Sequence, residues 1–292
     1  IKFQIFCTDE LVSRYIRKSG NKSQQTQYEM TKQLELTKEE HLKLKKYCEK
    51  KKIKYLCSAF DIPSLKFLYR QKINLFKIPS GEITNHPYLK VVGSFKQNVI
   101  LSTGMSTISE IKKALDVLIK SGVSKNKITL LQCNSDYPTS YSDVNLKAMV
   151  AMKNKFKVKV GLSDHTLGIE VPIAATALGA KVIEKHFTLD RTLKGPDHKA
   201  SLLPSELANM VKSIRNVEDA LGSAKKVVTK SEMKTLKLAR KSIVALKKIK
   251  KYEVFTEKNI GIKRPGTGIS AEKFDKILGY PEEAAGPFPR KS

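Results

Sequence analysis

No apolar run in the 292-residue chain approaches the roughly 18 residues that a membrane-spanning helix needs, so no membrane partner is expected. Neither an initiator methionine nor a signal-peptide layout opens Ile1-Lys-Phe-Gln-Ile-Phe6, and the chain reads as one that begins inside a domain. Cysteine is scarce. Cys7, Cys48, Cys57 and Cys133 show no paired metal-ligand spacing and no disulfide framework, so free thiols in a reducing cytoplasm are expected. Acidic residues are few, 28 against 55 Lys and Arg, for a formal charge of +27. Such a balance invites a nucleic-acid partner. An arginine-rich arm and an aromatic–basic stacking motif are both missing, however. The lysines lie on what read as solvated faces, over 39–54, 153–159 and 225–251. The expectation is therefore no nucleic acid, with a field that favours an anionic substrate. A Gly-rich phosphate fingerprint is also absent from the start of every helix-like segment, which argues against an open dinucleotide-binding sheet.

What is present alternates. Short β-like runs recur at Lys2–Phe6, Ile53–Cys57, Leu75–Ile78, Asn98–Leu101, Ile128–Cys133, Val158–Leu162 and Lys181–His186. Helix-like segments lie between them. Thr37 to Lys51 carries Leu42, Leu44 and Tyr47 at near-helical spacing, with Thr37 and Glu40 as a capping box. Thr107 to Ser121 repeats the design with Ile111, Leu115 and Leu118, boxed by Thr107 and Glu110; Pro204 to Leu221 begins on its proline. This order predicts a parallel α/β sheet with crossover helices. Seven strands are countable and an eight-stranded TIM barrel needs one more, so the first strand and helix are expected to be missing from this chain. The expected division is a barrel over 1–223, a polar lysine-rich linker over 224–238, a small β-rich domain over 239–280 and a disordered, proline-rich tail over 281–292. In the small domain the β-like runs are Ser242–Leu246, Glu253–Thr256 and Ile260–Lys263.

Two histidines stand out in this frame. Gly161-Leu-Ser-Asp-His-Thr166 and Glu184-Lys-His-Phe-Thr188 each end a β-like run, with a helix-like stretch, Ile169 to Gly179, between them. A strand–helix–strand crossover brings both imidazoles to one C-terminal sheet edge, where parallel α/β folds carry their chemistry. There His165 and His186 can share one divalent metal; the alternative is that each is merely satisfied by a neighbouring carboxylate.

Further motifs follow in order: Lys2-Phe-Gln4, Lys77-Ile-Pro-Ser-Gly-Glu82, Leu101-Ser-Thr-Gly-Met105, Gln132-Cys-Asn-Ser-Asp-Tyr-Pro-Thr139, Gly195-Pro-Asp-His-Lys-Ala-Ser-Leu202 and Lys263-Arg-Pro-Gly-Thr-Gly268. With the two histidine motifs, this set resembles the sialic acid synthase family, from Ile1 to about Gly279. The resemblance implies a TIM barrel followed by an antifreeze-like (SAF) domain. It implies condensation of phosphoenolpyruvate with N-acetylmannosamine and water to give N-acetylneuraminate and phosphate. Legionaminate or pseudaminate synthesis from a diacetamido sugar is the alternative, and an inactive, truncated binding protein the rival.

By the same resemblance His165 and His186 ligate Mn2+ or Mg2+. Lys2, Lys77, Ser80, Ser102, Ser135 and Ser163 hold phosphoenolpyruvate, a trianion that needs charge and directed donors; Ser135 stands where some members carry asparagine. Gln4, Glu82, Tyr137, Asp197 and Arg264 meet the sugar, and Glu82 or Asp197 acts as general acid or base. His198 is a neighbour without an assigned role. Arg264 is expected to reach the site of a partner subunit, which implies a domain-swapped homodimer. The family's first strand, with its acidic residue, and its usual C-terminal close are missing, so the chain is expected to be a fragment.

Overall fold

In the computed structural model, residues 1–14 and 26–281 are described. Short aliphatic runs form a seven-stranded parallel sheet, β1 Lys2–Ile5, β2 Leu56–Ala59, β3 Leu75–Ile78, β4 Asn98–Ser102, β5 Ile128–Cys133, β6 Lys159–Asp164 and β7 Ile183–Lys185, in sequential order. Parallel neighbours require crossovers, and helices supply them. The helices are α1 Thr8–Leu11, α2 Gln27–Lys32, α3 Lys38–Lys50, α4 Ile62–Arg70, α5 His86–Ser94, α6 Ile108–Lys120, α7 Leu146–Phe156, α8 Glu170–Ala177 and α9 Pro204–Leu221. β1 and β7 are the sheet's edges, yet Lys2 Nζ lies 3.1 Å from Glu184 Oε2. Strands at opposite ends of a sheet can touch only if the sheet is curled. Among the described residues this is a TIM-like barrel of seven strands.

The outward strand residues Phe76, Ile78, Val99, Leu101, Leu130, Val160 and Leu162 are buried against Leu65, Tyr88, Leu89, Ile111, Leu115, Leu118 and Met152 of the helices. Both expected capping boxes form, at Thr37/Glu40 and Thr107/Glu110. The expected face of α3 needs correcting. Tyr47 is exposed, and the buried stripe is His41 and Cys48 with Leu44 partly covered, because His41 Nδ1 finds the Tyr55 hydroxyl at 2.9 Å. β2 also starts later than expected. Lys52 takes a left-handed φ of 55° and Ile53 N–H bonds Cys48 O, so these residues finish the helix rather than open the strand. All four cysteines are free thiols.

The chain divides into two units, Ile1–Gly222 and Ser223–Ser292. Gly222 ends α9 at φ 49°, ψ −129°, a backbone region that favours glycine. In the second unit, β8 Ser242–Ala245 pairs antiparallel with β9 Ile260–Lys263, and Ile243, Phe255 and Ile260 are its buried core. The stretch expected as a linker contains α10 Glu232–Ala239, begun where Thr229 N–H and Oγ1 both donate to Glu232 Oε2. α11 Phe274–Ile277 follows. The expected run Glu253–Thr256 forms no strand; Val254 makes one isolated bridge to Pro281, while Thr256 N–H turns to Asn259 Oδ1 at 2.7 Å. The rest of the expected tail, 282–292, lies outside the described residues.

Candidate active site

Strand alternation brings Gln4, Lys77, Ser102, Ser163 and Glu184 to the concave side of the sheet toward its C-terminal edge, and Lys2, at the start of β1, shares their face. Lys77 is 3% exposed at the side chain; its Nζ donates to Ser102 Oγ at 2.8 Å and lies 3.5 Å from Glu184 Oε1. Ser163 Oγ donates to the same Oε1 at 2.8 Å. Glu184 thus ties together Lys2, Lys77 and Ser163. Burial pushes the Lys77 ammonium down to about 8, against the attraction of Glu184. Burial would raise the Glu184 carboxyl, but Lys77, Lys2 and the Ser163 hydroxyl overrule it and hold it at about 2. A buried ammonium lowered by burial and paired with one carboxylate is a candidate functional group.

A second cluster adjoins the end of β4. Gly104 N–H donates to Ser80 Oγ at 3.0 Å. A Cβ at Gly104 would come within 2.5 Å of Ser135 Oγ and 2.9 Å of Ser80 Oγ. The Gly104 N–H is thus committed to Ser80, and the two hydroxyls close on a position where only a hydrogen fits.

The imidazoles stand beside the first cluster. His165 and His186 have ring centroids 5.3 Å apart, and Tyr137 packs on both, at 4.0 Å and 5.5 Å. His165 Nδ1–H donates to Asn134 O at 2.5 Å, which leaves Nε2 with a free lone pair. Asp197 Oδ2 is 3.6 Å from His186 Nδ1. Burial lowers the pKa of both histidines, opposed by the Asn134 carbonyl at His165 and by Asp197 at His186. Neutral imidazoles are the form that binds metal.

Three comparisons bear on this site. Residues 1–226 match the NeuB family and residues 240–289 match the SAF domain. The chain belongs to the NeuB family. An N,N'-diacetyllegionaminic acid synthase of Campylobacter jejuni is 45% identical over 284 residues, 96% of this chain and 85% of that protein. The human N-acetylneuraminate-9-phosphate synthase is 36% identical over 231 residues, 79% of this chain and 64% of that protein. Among solved structures, the N-acetylneuraminic acid synthetase of Leptospira borgpetersenii matches with a TM-score of 0.71 and 36% identity, covering 80% of this chain and 78% of that one. This NeuB-family chain is accordingly an enzyme, a transferase of the synthase type.

The remaining residues named from the NeuB-like motifs divide between the units. Glu82 closes the turn Ser80–Glu82 and accepts from Asn85 Nδ2 at 2.7 Å; burial pushes its carboxyl above the usual range, against that bond. Gln4 is exposed on β1, on the same face as Lys2. His198 Nδ1 bonds the Thr188 hydroxyl at 2.8 Å. Arg264 belongs to the second unit, exposed just after β9.

Glu184 and Gly104 were not singled out by the sequence, although both lie inside quoted motifs. Glu184 is two residues before His186, hence on the same face of the strand; that parity was the available signal. Gly104 gave none, since its role depends on hydroxyls brought in from two other loops.

The donor set fits an open metal site. Two imidazoles bound to one cation at about 2.1 Å place their centroids roughly 5 Å apart, in line with the 5.3 Å seen. Among the described residues no group of three or more His, Cys, Asp or Glu side chains is arranged to enclose a metal, so water and substrate would complete the coordination.

Proposed function

We propose that this protein joins phosphoenolpyruvate to a diacetamido aminosugar aldehyde, releasing phosphate and a legionaminate-type nine-carbon 2-keto acid. The observation that carries the reading is the cationic, hydroxyl-lined cradle of Lys77, Lys2, Ser102 and Ser163 beside paired imidazoles at one sheet edge. For the acceptor, the relatives support the alternative named from the motifs better than N-acetylneuraminate: the relative named for diacetyllegionaminate is 45% identical over 96% of this chain, against 36% over 79% for the human neuraminate-9-phosphate enzyme.

In this reading the trianion is held by the two lysines and by Ser80, Ser102, Ser135 and Ser163, with Gly104 N–H orienting the Ser80 hydroxyl. The methylene carbon of the enol attacks the aldehyde carbon, and the new hydroxyl takes a proton from Glu82, whose raised pKa suits it to carry one. Water adds to the neighbouring, phosphate-bearing carbon and gives a proton back to the Glu82 carboxylate; phosphate then leaves with cleavage of the C–O bond as the keto group forms. His165 and His186 would hold Mn2+ or Mg2+, which supplies polarisation of the sugar carbonyl. Tyr137, Asp197 and Gln4 face the sugar. Arg264 would complete the site of a second copy in an intertwined homodimer, measurable as a dimeric mass in solution by light scattering. No helix among the described residues is long and apolar enough to cross a membrane, and a cytoplasmic location is part of the proposal.

The deciding experiment offers the purified protein N-acetylmannosamine and a diacetamido mannose-type sugar, each with phosphoenolpyruvate, and follows phosphate release. Turnover should favour the diacetamido sugar. Equal or better turnover of N-acetylmannosamine overturns the acceptor assignment, and no phosphate from either overturns the reaction.

A further inference from the structure

His165 and His186 lie one residue beyond the last rung of the β6–β7 ladder, in which Asp164 is the partner of Lys185. Their backbone bonds lead away from one another. His165 O accepts from Thr139 N–H on one side, and His186 O accepts from Leu202 N–H on the other, each at 2.9 Å. Something else must set the spacing of the two rings.

Strand alternation puts Asp164 and Lys185 on the face opposite the imidazoles, away from any substrate. Their side chains are 1% and 2% exposed, and Lys185 Nζ lies 2.5 Å from Asp164 Oδ2. The same ammonium donates to Thr166 O at 2.5 Å. Asp164 in turn accepts from Thr166 N–H and from Thr166 Oγ1, both at 3.1 Å. The residue just before His186 therefore grips the residues on both sides of His165. A charge this deep is retained at a desolvation cost that a pair of apolar side chains would avoid. A fixed strand-end geometry is what that cost secures.

We propose that the buried Asp164–Lys185 pair is a positioning pair, holding the His165 and His186 imidazoles in register at the mouth of the barrel. Its consequence for metal affinity rests on the reading of these histidines as metal ligands; its consequence for ring position does not.

The test uses the full chain in two arms. In the metal-free protein, 15N NMR reads the protected Nδ1–H that His165 donates to Asn134 O. In the second arm, EPR of free Mn2+ reads affinity. Replacing both partners, D164L/K185M, leaves no stranded charge; it is expected to fold, to lose the protected Nδ1–H and to weaken Mn2+ binding roughly 10-fold or more. K185R alone, which keeps Asp164, the charge and its reach, should retain most of both. Should D164L/K185M fail to fold, D164N/K185Q serves instead, since glutamine is too short to grip residues 164 and 166 together, and the same losses are expected. A folded double variant with unchanged imidazole signals and unchanged Mn2+ affinity overturns the proposal. Absence of Mn2+ binding by the unsubstituted protein, with the NMR signal still lost in the variant, sinks the metal reading and leaves the positioning pair standing.

Discussion

Lys77 offers the sharpest test of how the cradle works. Its ammonium is buried, with burial lowering its pKa to about 8 and Glu184 at 3.5 Å opposing the fall. If protonated Lys77 is what receives the anion, kcat/KM for phosphoenolpyruvate should be flat below pH 8. It should then decline about tenfold per unit above pH 8, since this ratio reports the free enzyme's ionisations. Glu184→Gln removes the opposing charge. Between unit charges 3.5 Å apart the interaction is about 5 kcal/mol at an effective dielectric near 20. That equals roughly three and a half pKa units at about 1.4 kcal/mol each. Water reaching Glu184, whose side chain is 19% exposed, reduces the figure, so a shift of at least about one unit is expected. The sign is fixed: losing a neighbouring negative charge disfavours the ammonium, so the alkaline limb moves from about 8 to about 7 or lower. Lys77→Arg supplies the control, because a guanidinium stays charged throughout and the limb near 8 should vanish. Steady-state rates at saturating sugar from pH 6 to pH 10 measure all three. A limb that stays in place in Glu184→Gln, or survives in Lys77→Arg, refutes the assignment.

Three further outcomes follow from the same geometry. Gly104→Ala puts a methyl within 2.5 Å of Ser135 Oγ and should raise the KM for phosphoenolpyruvate about tenfold, some 1.4 kcal/mol, with kcat little changed; an unchanged KM argues against an anion at that spot. Chelation of divalent metal should suppress phosphate release, with Mn2+ or Mg2+ restoring it, and His165→Ala should abolish that restoration; full activity in excess chelator contradicts the paired-imidazole reading. Thr107→Ala deletes the box that starts α6 and should cost about 1 kcal/mol, read as a Tm lower by roughly 2–4 °C with unaltered kinetics.

Much of the barrel was legible because its signals are local. Aliphatic runs between capped amphipathic segments gave the seven strands in order, and the Thr37/Glu40 and Thr107/Glu110 boxes gave two helix starts to the residue. Helices α4 and α5 also carry local starts, Asp61 before Ile62-Pro63 and Asn85 before His86-Pro87, each accepting a backbone N–H three residues on, whereas Asn145 at the start of α7 makes no side-chain cap bond. The face of α3 could not be read locally, since the position of His41 depends on Tyr55 beyond the helix.

The chain alone determined which residues reach the sheet's C-terminal edge, because a two-residue period and a strand's end are written in consecutive positions. The crossover also placed His165 and His186 at one edge, but only the folded molecule decided what else meets there. Curling brings Lys2 on β1 to Glu184 on β7, and the β6–β7 register sets the two imidazoles over the buried Asp164–Lys185 pair. Such contacts span 182 and 21 residues of chain, and pairings over those distances are set by the packing of the whole barrel rather than by any local preference.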